Sequence, residues 1–291
     1  MTVPPPDGSR DRRIEDPSNL LLIHPLGRRL LPYALRMGVS ANAVSVTGLL
    51  IGLGAALSYS RFDSGAMALL GLGLSVLWLV ADGLDGMIAR ATGTASALGR
   101  LLDGVCDHGV FILIYVALAL RVGTPGGWAL AIAAGAAHAV QSSLYEGERT
   151  RFHRRVKGIA EGETSAGGGW LVRQYDRLAG LPGRLARPFE RKLASSADPS
   201  ALAQIYGMRA TAPMKLLSLE TANVRVLAIF LACLIGDPRI FWWIEIVPLT
   251  LVAIAGLAWH RRVERGLLQF STHNPTSPAE PARFFVKEQG Q

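Results

Sequence analysis

The sequence has very little cysteine and few charged residues for its length. Cys106 and Cys233 are its two cysteines, and both lie in apolar segments, so neither a disulfide framework nor a cysteine-rich metal site is expected. Charged residues make up 18% of the chain and hydrophobic residues 50%, and the apolar residues come in long blocks. A soluble domain would intersperse charges within such blocks, so the pattern indicates a membrane protein.

The N-terminal region lacks the apolar core of a signal peptide. Residues 1–18 are polar and rich in proline, which predicts a disordered tail rather than a cleavable signal or a span. Residues 19–38 mix leucines with arginines, a composition typical of an amphipathic helix that lies in the membrane interface. The alternative for residues 19–38 is a simple cytoplasmic extension.

Six stretches are long and apolar enough to be candidate membrane spans, at about residues 42–60, 65–91, 98–120, 127–146, 222–236 and 241–259. The predicted fold class is therefore all-α, an integral membrane six-transmembrane-helix bundle with an N-terminal interfacial amphipathic helix, over residues 19–265. Residues 147–221 are rich in arginine and glycine and are predicted to form a cytoplasmic loop, within which residues 170–181 suit a second basic interfacial helix. Residues 266–291 are predicted to be a C-terminal tail.

The positive charge of the chain is distributed unevenly over this topology. The net charge is +8, and 24 of the 30 lysines and arginines lie before residue 40, between Arg149 and Lys215, or after His260. Because cytoplasmic segments carry an excess of lysine and arginine, both termini and the long loop are predicted to be cytoplasmic. Such a basic surface suits anionic lipid headgroups, and no nucleic-acid-binding motif accompanies it.

Four carboxylates stand within the second and third candidate spans, where lipid makes an ionised side chain costly. Asp82 and Asp85 are three residues apart and Asp103 and Asp107 are four apart, so each pair shares one face of its helix. The two spans are joined by a short link and must run antiparallel. All four carboxylates then lie within about 15 Å of the same helix ends and can converge on one pocket that opens to the cytoplasm.

Divalent cations would relieve the repulsion in such a pocket. The acids offer oxygen ligands without a histidine or cysteine cluster, which favours Mg²⁺ or Mn²⁺, and two ions would suit phosphate chemistry. Gly86 and Gly99 either allow close helix packing or let a polar ligand reach the backbone. Arg90 and Arg100 could hold a pyrophosphate at the mouth of the pocket, or serve only as topological anchors.

This stretch resembles the signature of the CDP-alcohol phosphotransferases, also called CDP-alcohol phosphatidyltransferases. The pattern D-x2-D-G-x2-A-R, eight residues, and G-x3-D-x3-D is met at Asp82, Asp85, Gly86, Ala89, Arg90, Gly99, Asp103 and Asp107. One departure lies before the first span, where the family often has a Pro-Asn pair followed by threonine. Here Ala41 replaces the proline, and Ser45 keeps the hydroxyl.

The resemblance implies an enzyme of phospholipid biosynthesis, a transferase of substituted phosphate groups. It would pass a phosphoalcohol, in particular phosphatidyl from CDP-diacylglycerol, to an alcohol acceptor and release CMP. Asp82, Asp85 and Asp103 resemble metal ligands, and Asp107 resembles the general base and a further ligand. Gly86, Arg90 and Gly99 would line the nucleotide site. A homodimer in the bacterial inner membrane is also expected.

The acceptor and the reaction class leave alternatives open. Arg100, Lys215 and Arg225 are candidates for binding an acceptor phosphate, although each would also suit a membrane-proximal anchor. An aminoalcohol phosphotransferase, which uses a CDP-aminoalcohol donor and a lipid acceptor, is an alternative within the family. Intramembrane acids also mark ion pathways, so a cation transporter is the alternative of another class, and an inactive homologue serving as a scaffold is a third.

Overall fold

The computed structural model of the protein describes residues 11–160 and 185–269, which are helical with no strand. A π-helical turn, Asn19–Ile23, leads into α1. The helices are α1 (His24–Arg36), α2 (Ala41–Tyr59), α3 (Gly65–Thr92), α4 (Ala97–Val122), α5 (Pro125–Arg155), α6 (185–194), α7 (Pro199–Leu217), α8 (Ala222–Ile235), α9 (Arg239–Ile244) and α10 (Thr250–Leu268). A second π-helical turn, Glu245–Leu249, joins α9 to α10. The all-α prediction is confirmed.

Local sequence signals fix where the central helices begin and end. The side chains of Ser40 and Ser96 accept hydrogen bonds from backbone N–H groups of the first turns of α2 and α4, respectively. Gly93 and Gly123 end α3 and α4 with φ near +67° and +66°, a left-handed conformation that favours glycine. The link between α3 and α4 is therefore a few residues long, and the two helices run antiparallel.

Helix α2 packs along both α3 and α4 and brings them together. Its Gly52 faces Val110 of α4 so closely that an added Cβ would lie 2.3 Å from Val110 Cγ2. On the other side, a Cβ at Gly71 of α3 would lie 2.7 Å from the Tyr59 ring. Side chains as small as glycine let helices approach this closely, so these contacts set the spacing on which the α3–α4 site depends.

Four helical segments are long and apolar enough to cross a membrane: Ala41–Tyr59, Gly65–Thr92, Leu101–Val122 and Arg239–Leu268. A fifth is obtained if Pro199–Glu220 and Ala222–Ile235, which are bent by 42° relative to each other, form one broken span. The predicted count of six is thus not confirmed. The predicted spans missing from the four lie in α8, which has 14 residues and counts only within the bent pair, and in α5, whose apolar part is mostly alanine and glycine and includes His138 and Gln141.

The N-terminal region contains more structure than predicted. Ile14, expected in a disordered tail, is 1% exposed and packs in a core with Phe152 and Tyr206. Of residues 19–38, Asn19–Ile23 form the π-helical turn and His24–Arg36 form α1, whose Leu31 and Ala34 pack against α3, but the amphipathic interfacial helix predicted there is not confirmed. The location of α1 at a membrane surface stays a prediction.

The segment 147–221 differs most from its prediction as a loop. Helix α5 continues through it to Arg155, and α6 and α7 follow. Phe152, Phe189 and Tyr206 build a small core there, and Arg155 pairs with Glu190 and Glu264. Aliphatic side chains, among them Leu193, Leu202 and Leu217, complete this core, so the segment does contain packed helices. The interfacial helix predicted at residues 170–181 lies outside the described residues.

We predict that Gly52→Ala lowers the free energy of unfolding by about 1–3 kcal/mol, because its methyl group overlaps the buried Val110 side chain. The measurement is the apparent melting temperature of the purified protein in detergent. Gly73→Ala is the matched control, since nothing lies within 4 Å of an added Cβ at that position of α3. Equal melting temperatures for the two variants would contradict the prediction.

Candidate active site between α3 and α4

The structure brings three of the predicted acids together. Asp82 and Asp85 project from α3 and Asp103 from α4, and one carboxylate oxygen of each lies within 4.8 Å of the others. Asp85 is buried, with 4% exposure, while Asp82 and Asp103 are partly exposed. The acids therefore share one cluster with access from outside the protein, as the helical spacing predicted.

Asp107 adjoins this cluster one turn further along α4. Its carboxyl group approaches Asp82 closely enough for a side-chain hydrogen bond. From α3, the indole nitrogen Nε1 of Trp78 donates to Asp107 Oδ1 over 3.3 Å. Asp107 thus contacts the acid cluster on one side and a buried neutral donor on the other.

Helix α2 supplies a second neutral donor. The Ser45 hydroxyl donates to Asp85 Oδ2 over 2.5 Å. Ser45 also contacts the carbonyl oxygen of Ala41 in its own helix. The hydrogen bond from Ser45 holds one carboxylate oxygen of Asp85 in place, and it connects α2 directly to the acid cluster.

A cavity of about 610 Å³ opens beside the acids. Its lining includes Asp85 and Asp103 together with the three residues predicted for nucleotide binding, Gly86, Arg90 and Gly99. A Cβ at Gly86 would lie 3.1 Å from the Arg90 guanidinium, and one at Gly99 would lie 3.2 Å from Ser96 Oγ. A side chain larger than that of Gly86 or Gly99 would therefore crowd the cavity. The Arg90 guanidinium lines the same cavity as Asp85 and Asp103.

The donor set of this cluster suits a hard divalent cation. Asp82, Asp85 and Asp103 offer carboxylate oxygens close enough to share one ion, and oxygen ligands are those that Mg²⁺ and Mn²⁺ prefer. A cation would also offset the mutual repulsion of the acids. The residues present thus fit a metal ion, and the adjacent cavity with its arginine fits a phosphate-bearing ligand.

Residues 38–150 match the sequence model of the CDP-alcohol phosphatidyltransferase family. This part of the chain is similar to a CDP-alcohol phosphatidyltransferase domain. The match begins just before α2, spans α3 and α4 with all four acids, and ends in α5. The resemblance carried by the aspartate and glycine pattern is thereby confirmed, and with it transfer of a phosphoalcohol from a CDP-alcohol as the activity of the family.

No curated protein matches the chain. The family match therefore concerns residues 38–150, and the region after residue 150 lies outside it. The apolar helices and the family together indicate an integral membrane protein.

Two of the three candidate acceptor cations, Lys215 and Arg225, are not among the described residues that line the cavity. Arg225 is buried, and its guanidinium bonds Glu245 and Glu220 over 2.8 Å each, so it is already paired. Lys215 is exposed on α7, and neither residue is among the described residues that line the cavity. Arg100 lies in the first turn of α4, but its side chain is outside the description.

A second group of possible metal ligands lies outside the matched domain's acid cluster. Glu148, His260 and Glu264 are buried, with ligand atoms within 4.8 Å of one another. Arginines occupy these carboxylates: Arg261 pairs with both glutamates and Arg155 with Glu264. Burial opposes ionisation, yet the His260 hydrogen bond and the Arg261 charge hold the pKa of Glu148 well below its usual value. This group is an ion-pair network that joins α5 to α10.

Sequence reasoning did not single out Trp78, which contacts the predicted base. The signal was present, because Trp78 and Asp82 are one helical turn apart and therefore share a face of α3. A tryptophan within an apolar span, however, is ordinarily explained by packing.

We predict that Ser45→Ala weakens Mn²⁺ binding by about tenfold, because loss of a hydrogen bond that orients a ligand typically reduces metal affinity by that order. Calorimetric titration of the purified protein with Mn²⁺ measures the effect. Ser58→Ala is the matched control, since the Ser58 hydroxyl bonds a carbonyl oxygen of its own helix. Unchanged affinity in Ser45→Ala would contradict the prediction that this hydrogen bond supports metal binding.

Proposed function

We propose that the domain catalyses the divalent-metal-dependent transfer of a phosphoalcohol, phosphatidyl from CDP-diacylglycerol, to an alcohol acceptor with release of CMP, in phospholipid biosynthesis. The observation that carries this proposal is the convergence of Asp82, Asp85 and Asp103 beside a cavity lined by Gly86, Arg90 and Gly99. The family match supports the class of reaction.

The proposed chemistry assigns different work to the acids. Asp107 takes the proton from the acceptor hydroxyl, which is a weak nucleophile until it is deprotonated. The acceptor oxygen then bonds the phosphorus that carries the transferred alcohol. The bond from that phosphorus to the oxygen bridging the two phosphates breaks, and the bridging oxygen leaves with CMP. Arg90, at the wall of the cavity, binds the diphosphate.

Asp82, Asp85 and Asp103 would hold the metal, with Asp107 as a further ligand, and two ions of Mg²⁺ or Mn²⁺ suit this number of carboxylates. When bound, divalent metal offsets the negative charge of the diphosphate and of the departing phosphate. Ser45 orients Asp85 for this task through its hydroxyl group.

We include in the proposal that the chain crosses the membrane six times. Helix α5 is counted as one of these spans, although its hydropathy is too low for it to be among the candidate spans. His138 and Gln141 lower the hydropathy of α5, but both are buried against other helices, and Gln141 bonds the Glu245 carbonyl and Thr250. Their polar groups are thus withdrawn from lipid. The distribution of lysine and arginine supports an active site that faces the cytoplasm of a bacterial inner membrane, with α1 at its surface. A homodimer stays a prediction.

The same geometry would serve an aminoalcohol phosphotransferase, so the donor is the first variable to test. Arg225 is not carried into the acceptor site, because its guanidinium is already paired with Glu220 and Glu245. Arg100 and Lys215 stay candidates for an acceptor phosphate. A cation transporter would need no nucleotide, and the assay below separates it from a transferase.

We predict that the purified protein in detergent releases CMP from CDP-diacylglycerol when Mg²⁺ or Mn²⁺ and a suitable alcohol are present. The assay uses a panel of acceptors, with inositol phosphate and glycerol phosphate among them, and a parallel series with CDP-aminoalcohols and diacylglycerol. Asp82→Asn is the inactive control. Release from the CDP-aminoalcohols alone would reassign donor and acceptor, and no release from any CDP-alcohol would overturn the proposed function.

We predict that Asp107→Asn lowers the turnover number by a factor of about 10² to 10⁴, the usual contribution of a general base. Binding of CMP should stay measurable, because Asp107 is not among the described residues that line the cavity. Turnover is followed by CMP release, and binding by calorimetry. Full activity in this variant would remove Asp107 from the mechanism.

A further inference from the structure

Trp78 occupies a position that the proposed chemistry has not yet used. It stands on α3 one turn before Asp82 and is 2% exposed. Its Nε1 donates to Asp107 Oδ1 over 3.3 Å, from α3 across to α4. A buried side chain thus reaches the predicted general base from the side away from solvent.

The Trp78 ring is held in place by neighbours on two other faces. Phe111, one turn beyond Asp107 on α4, meets it edge to face, with centroids 5.4 Å apart and an interplanar angle of 82°. On α2, a Cβ at Gly48 would lie 3.4 Å from Trp78 Cδ1, so the ring packs directly against the helix backbone. Such packing fixes the direction of the N–H bond.

Burial alone does not require this hydrogen bond. Trp242 is 0% exposed, and its Nε1 has no hydrogen-bond partner among the described residues. The protein therefore accommodates one buried indole without a partner, while the indole beside the acid cluster is directed at Asp107. An indole N–H can only donate a hydrogen bond, so Asp107 Oδ1 is the acceptor in its bond with Trp78.

We propose that Trp78 is a positioning residue that holds the Asp107 carboxylate in the orientation for proton transfer. The inference rests on the proposed function. With Oδ1 bound to Trp78, the carboxylate keeps its plane, and Oδ2 is left to take the proton of the acceptor hydroxyl. Trp78 keeps its own proton throughout, because the phosphorus–oxygen exchange needs a single proton acceptor.

The kinetic test is Trp78→Phe, which keeps an aromatic ring and removes the N–H. The turnover number should fall about tenfold, the order expected for a hydrogen bond to a charged group, while the KM for the donor stays unchanged. Trp242→Phe is the matched control and should keep full turnover, since its N–H has no partner in the described part of the chain. Equal turnover in the two variants would overturn the inference, as would a rise in the donor KM without a fall in turnover.

A second measurement leaves Trp78 in place and does not depend on activity. Protein labelled with ¹⁵N-tryptophan has six indole groups, and Trp→Phe variants of the other five tryptophans assign their signals, so the remaining signal belongs to Trp78. That signal should move in Asp107→Ala and stay in place in Asp63→Ala, whose side chain is exposed and pairs with Arg121. A Trp78 signal that does not respond to Asp107→Ala would overturn the inference even if Trp78→Phe fails to fold.

The two proposals fail in different ways. If the wild type releases CMP and Trp78→Phe matches it, the proposed function stands and the positioning role is overturned. If the wild type releases no CMP from any donor, the proposed function is overturned, and the positioning role falls with it whatever the indole signal does.

Discussion

Mutual repulsion among the acids of α3 and α4 is the constraint on which the rest of the site depends. Oxygen atoms of Asp82, Asp85 and Asp103 lie within 4.8 Å of one another. If nothing held α3 and α4 together, the repulsion between these carboxylates would move the two helices apart. The opposing force is packing against α2, where Gly52 meets Val110 and Ser45 bonds Asp85. The helix without a signature acid therefore keeps the acids of the other two in place.

The family match ends at residue 150, yet the structure beyond it is connected to the site. Ile14 packs in the core formed by α5, α6 and α7, and Asp16 accepts hydrogen bonds from Thr221 and Asn223 at the start of α8. The chain then passes into α1, whose Leu35 lines the cavity. One wall of the proposed nucleotide site is therefore anchored through the N-terminal segment to helices outside the matched domain.

How far the sequence could predict this structure depended on the range of the interactions. The sharing of a face by Asp82 and Asp85 follows from helical spacing, and the start of α2 at Ser40 follows from capping, so local rules found both. The helices after residue 147 are stabilised by pairs such as Arg155 with Glu264, which are 109 residues apart. The composition shows that the segment is rich in arginine, but it does not show which distant glutamates pair with those arginines. Those pairs, which stabilise packed helices instead of a loop, are seen only in the three-dimensional structure.

The partners of Glu220 and Glu245 differ from those of Asp85 and Asp107. Glu220 and Glu245 each bond the guanidinium of Arg225, so the protein itself neutralises part of their charge. The hydrogen bonds to Asp85 and Asp107 include those from Ser45 and Trp78, which are neutral donors that orient a carboxylate and leave its charge in place. Orientation without neutralisation is the arrangement that a site for an external cation requires, and in this respect Asp85 and Asp107 differ from Glu220 and Glu245.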